Sequence, residues 1–151
     1  MSQDIGLMRE RLRLAVSDMA YASLIETELR TISDSGVMVD AMRMAWIVTY
    51  VRPFTPAMAS DGKCKKWLAE LDAEIESYLK GKGQRHFEVH KAVIDERNQL
   101  VGHADWKHHT TDHTATHHST CFKTYTHAEF NKLNLLMESF LKAKLAAIST
   151  P

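Results

Sequence analysis

Two patterns in the chain put ionisable side chains where chemistry could use them. In Arg97-Asn98-Gln99-Leu100-Val101-Gly102-His103 an imidazole follows a guanidinium after five intervening residues. An imidazole titrates near neutrality and can carry a proton, while a guanidinium can hold the charge that builds on a phosphoryl oxygen. On a helical wheel started at Phe87, Arg97 falls at about 280°, between Val93 at about 240° and Val101 at about 320°, with His90 beside it at about 300°. A permanently charged group on an aliphatic arc calls for a carboxylate, a subunit interface or an anionic ligand. A salt bridge to a neighbouring helix explains the position as well as a ligand does. His103 lies off this arc at about 160°, and Gly102 lets the backbone redirect it.

The second pattern is compositional. The chain has nine His, and seven of them fall between His103 and His127. His109, His113 and His117 are spaced by four, with His108 and His118 flanking them. Neutral imidazoles ligate zinc, nickel and copper, and Asp105 or Asp112 could complete such a site. No Cys-x-x-Cys or His-Glu-x-x-His pattern accompanies them, and His-rich tracts take up added metal without having evolved for it. A solvent-exposed polar insert and a set of imidazoles that contact substrate are the other two readings of this tract.

The string Ile94-Asp95-Glu96-Arg97-Asn98-Gln99-Leu100-Val101-Gly102-His103-Ala104-Asp105 resembles the motif helix of bacterial HEPN-like proteins. There an Arg and a polar residue precede a small residue, the His and often an acid. Tyr50-Val51-Arg52-Pro53-Phe54 is similar to a segment of some of these proteins. The resemblance implies a helical bundle that works as a homodimer, with two motif helices facing each other across one cleft. It also implies RNA cleavage that requires no metal or other cofactor. In that reading the RNA 2′-hydroxyl attacks the adjacent phosphate, His103 shuttles a proton, Arg97 stabilises the added charge and Asn98 orients the substrate or the His. Arg52, Tyr50, His90 and Asp105 are the candidate substrate contacts. For Arg52, a cation answering the dipole at a helix C-terminus is the plainer reading, and for His90 a hydrogen-bonded core histidine is at least as good. Family members that are toxins or phage-defence components imply an antitoxin partner. Inactive members imply a second function, a module that binds a nucleotide or a protein, and the His tract supports a third, a zinc- or nickel-binding protein.

The elements that must position these residues read as helices. From Leu12 through Ala15, Met19, Ala22, Ile25 and Leu29 to Ile32 the apolar residues recur at helical spacing, and Ser33-Asp34-Ser35-Gly36 ends the stripe. Val37 to Val51 is apolar on nearly every side, which predicts a central helix packed on several faces, and Pro53 and Pro56 stop it. A third helix carries Cys64, Trp67, Leu68, Leu71, Ile75 and Leu79 up to the turn Gly81-Lys82-Gly83, and a fourth runs from about Gln84 to Val101. Thr126 and Glu129 stand at capping-box spacing before a fifth helix through Phe130, Leu133, Met137 and Leu141 to Ile148. The sequence therefore predicts an all-α fold, an antiparallel bundle of about five helices in a single domain over residues 1–151. A His/Thr-rich loop of about residues 104–125 is expected before the last helix.

Composition bounds the rest. A chain of 151 residues, 44% hydrophobic and 25% charged, is the size and make-up of one folded domain. Nineteen Lys and Arg balance nineteen Asp and Glu, so any anion must be met by a local site, not by a domain-wide basic field. The lysines from Lys63 to Lys91 alternate with Glu and Asp and read as a solvated face. Two cysteines are too few for a disulfide scaffold. The N-terminus does not resemble a signal peptide and the most apolar segment is too short and too charged to span a membrane. A cytoplasmic protein without membrane contact is expected.

Overall fold

The computed structural model describes residues 2–32, 36–55, 62–98 and 124–149, and every regular element among them is helical. Five α-helices follow one another: α1 (Ser2–Thr31), α2 (Val37–Val51), α3 (Gly62–Lys82), α4 (Gln84–Arg97) and α5 (His127–Ser149), with a single 3-10 turn, Arg52–Phe54, closing α2. The all-α bundle expected from the periodicity is what forms.

Local signals account for the boundaries. Pro53 lies in the 3-10 turn, where its missing amide ends the α ladder of α2. Gly83 adopts φ 136°, a conformation that strains any residue with a Cβ, and its amide bonds back to the carbonyls of Leu79 and Lys80, ending α3 and starting α4. At the head of α5, Thr126 Oγ1 accepts from the Glu129 amide at 3.2 Å and the Thr126 amide donates to Glu129 Oε2 at 2.7 Å, the reciprocal capping box that the spacing predicts. The expected extension of α4 through Leu100 and Val101, the turn at Ser33–Ser35, Pro56 and the side chains of Cys64 and Trp67 lie outside the described residues.

One apolar core joins all five helices. Leu12, Met19, Ala22 and Leu29 of α1, Trp46 and Ile47 of α2, Ile75 and Leu79 of α3, Val89 and Val93 of α4 and Phe130, Leu133, Met137 and Leu141 of α5 are buried in it. Helices α1 and α5 run antiparallel, since Arg9 near the start of α1 bonds the Ile148 carbonyl at 2.8 Å while Glu26 near its end meets His127. Between these points the buried Asn134 donates to the Met19 carbonyl and to Ser23 Oγ. Trp46 stacks on Phe130 with ring centroids 4.1 Å apart, which locks α2 against α5.

The fold differs from expectation in α2. Its apolar residues are not all packed: Trp46, Ile47, Tyr50 and Val51 face the core, but Met38 is 64% exposed, Met44 38%, and Ala41 and Ala45 are exposed as well. Composition reveals that a helix is apolar all round. It does not reveal which side of the helix the other described residues cover.

Candidate functional site

The residues singled out by sequence divide between the middle of the bundle and one of its ends. Val89, His90 and Val93 are the buried residues of α4, and Arg97 continues their line one turn beyond Val93. There burial relaxes: Arg97 is half-buried and Asn98 exposed. Among the described residues the Arg97 guanidinium forms no ion pair, and its hydrogen bond runs from Nη1 to Asn98 Oδ1 at 3.1 Å. Asn98 keeps a helical backbone, φ −64° and ψ −36°. Among the described residues the guanidinium thus has one neutral partner.

Two sequence candidates belong to the core. Tyr50 is 0% exposed and His90 5%, and the Tyr50 hydroxyl and His90 Nδ1 share a hydrogen bond of 2.8 Å. Phe54 closes over the imidazole with ring centroids 5.2 Å apart. Burial lowers the His90 pKa to about 4 and raises that of Tyr50 well above its ordinary value, so both are neutral near pH 7. This is the hydrogen-bonded core histidine, and neither group is placed to meet a substrate from solvent. Arg52 is likewise engaged: Nε donates to Asp18 Oδ2 at 3.0 Å, and Nη2 closes the fork on Oδ1. Its partner is a carboxylate of α1, in a bidentate ion pair made from the turn that closes α2. His103, Asp105, His109, His113 and His117 lie outside the described residues.

A second set of contacts, which the motif search does not single out, lies where α5 begins. The segment that enters α5 meets α4 on one side and the C-terminal part of α1 on the other. Tyr125, itself buried, donates its hydroxyl to Glu96 Oε2, the residue before Arg97. Two residues on, His127 Nε2 meets Oε1 of Glu26 at 3.0 Å. Glu26 is 5% exposed and also accepts from Arg30, and the His127 ring lies 4.8 Å from that of Trp46. A buried carboxylate that orients an imidazole is a recurrent arrangement in acid–base sites. In sequence, Glu26 is a stray acid among the apolar residues of α1 and His127 the last of a run of His. Only the antiparallel pairing of α1 and α5 brings them together.

The segment entering α5 is fastened to α4 from both directions. Arg85, near the start of α4, bonds the Thr124 carbonyl at 2.7 Å and Glu129 Oε1 at 2.8 Å, and the Arg85 contact with the capping-box bonds pulls the Glu129 pKa well below its usual range. Near the other end of α4 stands the Tyr125–Glu96 bond. Residues 124–127 are therefore held against the helix that carries Arg97. Among the described residues no group of three or more His, Cys, Asp or Glu is arranged to hold a metal ion, and no helix is long and apolar enough to cross a membrane. No known protein family, curated protein or solved structure matches the chain.

Proposed function

We propose that the chain is an endoribonuclease of the HEPN type, cleaving RNA without a metal by attack of the 2′-hydroxyl on the adjacent phosphate. The observation that carries this reading is Arg97: a half-buried guanidinium at the end of the bundle, hydrogen-bonded to Asn98 and free of carboxylates among the described residues. An Arg held for structure normally has an acid beside it, as Arg52 and Arg85 do. Arg97 is left for an anion. In this reading it neutralises the charge that grows on the phosphoryl oxygens, Asn98 fixes the guanidinium plane and His103 moves the proton. The working unit is a homodimer, and a toxin or phage-defence role with a cognate antitoxin follows from the same resemblance.

Incubation of the purified chain with RNA in excess chelator tests it. Products ending in 2′,3′-cyclic phosphate, lost in Arg97→Ala and in His103→Ala, are the expected result. Cleavage that survives both substitutions overturns the assignment of these residues, and cleavage that appears only with added zinc or nickel moves the activity to the His tract. Binding of RNA or a nucleotide without cleavage identifies a silent module instead.

A further inference from the structure

The chain entering α5 is held on both sides of Tyr125. One residue before it, the Thr124 carbonyl accepts from Arg85 at 2.7 Å. Two residues after it, His127 meets Glu26 at 3.0 Å. The Tyr125 ring is 4% exposed and stands edge-on to Phe130 with ring centroids 5.7 Å apart. Only two torsions separate a tyrosine ring from its backbone, so packing at both ends sets where the hydroxyl lies. That hydroxyl donates to Glu96 Oε2. Arg85 is the second residue of α4 and Glu96 the last but one, about 16 Å apart along the axis. Residues 124 and 125 therefore tie both ends of α4 to one point of the chain.

We propose that Tyr125 is a positioning residue for Arg97: by holding Glu96 it fixes the last turn of α4, and with it the place from which the guanidinium extends. Helix ends fray unless something outside the helix holds them. The bond from Arg97 Nη1 to Asn98 Oδ1 joins neighbours in the same turn, so it moves with that turn and cannot anchor it. The bond from Tyr125 crosses to another element and can. Glu96 lies about 100° from Arg97 around the helix, so the tie restrains the backbone without engaging the guanidinium. A group that must meet charge developing on a phosphate acts through its position, and a displacement of about 1 Å can cost about 100-fold in rate. The catalytic consequence rests on the ribonuclease reading, whereas the restraint rests on the hydrogen bond alone.

Tyr125→Phe in the full chain tests both parts, since it keeps the ring against Phe130 and removes only the hydroxyl. Amide hydrogen exchange reads the restraint without any need for cleavage. The amides of Arg97 and Asn98 should exchange about 10-fold faster in the variant, while those of Val89 and Val93 stay as in the wild type. With RNA in excess chelator, kcat should fall about 10-fold with KM unchanged within about 2-fold. Glu96→Gln keeps an acceptor oxygen and should retain most of the activity. Glu96→Ala should fall as far as Tyr125→Phe, and the double variant no further than either, as expected when both substitutions break one bond. Unchanged exchange at Arg97 and Asn98, or an unchanged kcat in a chain that cleaves RNA, overturns the proposal. Exchange that accelerates equally along α4 also overturns it and makes Tyr125 a residue of the fold as a whole. A wild-type chain that cleaves no RNA overturns the ribonuclease reading and the catalytic role of Tyr125 with it, while faster exchange confined to Arg97 and Asn98 still supports the restraint.

Discussion

Two histidines, His90 beside Tyr50 and Phe54 and His127 beside Trp46, illustrate how position sets the surroundings of the same side chain. His90, on α4, is 5% exposed, and the groups around it are Tyr50, Phe54 and neighbouring aliphatics, so burial keeps it uncharged. His127, at the head of α5, is partly open to solvent and bound to a buried carboxylate. The first is a polar group accommodated by the core. The second sits at the head of α5, two residues from the Tyr125 that fastens the segment to Glu96 of α4.

The largest effect that would break this contrast is on stability. Tyr50→Ala removes a fully buried aromatic and should cost about 3–5 kcal/mol in urea unfolding; a cost near zero would mean that the middle of the bundle is not packed as described. Close behind stands the pH dependence of His90. Its pKa falls from an ordinary 6.5 to about 4 on folding, so between these values the unfolded chain binds more protons than the folded one. Its contribution is present above pH 6.5 and lost as pH falls towards 4, on the order of 3 kcal/mol across the window. His90→Gln should flatten that part of the stability profile, measured by denaturant unfolding at pH 4.5 and pH 7.

How far the sequence anticipates these regions follows from what each depends on. The helices, the stop at Pro53 and the capping box of Thr126 and Glu129 are local, encoded within a few residues, and could be read directly. The place of Arg97 on the core-facing line of α4 was also legible, because wheel position depends on spacing alone. The pairing of Arg52 with Asp18 and of His127 with Glu26 was not, since each joins residues far apart in the chain through the order of helices in the bundle. The open side of α2 was hidden for a related reason: an apolar residue shows the same letter whether it is covered or exposed.

Smaller effects sharpen the contrast. Glu26→Gln replaces the charged partner of His127 and Arg30 by a neutral one and should cost about 1–3 kcal/mol. If RNA is cleaved, the same variant should shift the pH profile of kcat/KM; a profile identical to wild type would leave the Glu26–His127 pair a purely structural link. Arg52→Ala, which breaks an exposed ion pair, should cost less than about 1 kcal/mol. A large rise in KM for RNA in that variant would return Arg52 to the binding surface.

Arg97 has no acidic partner among the described residues, and in the proposed reading it serves an anion. Single-turnover cleavage of RNA in excess chelator by the wild-type chain and by Arg97→Ala measures this most directly. Products with 2′,3′-cyclic phosphate ends and a rate reduced by roughly 100-fold or more in the variant are expected. Equal rates in the two proteins would contradict it.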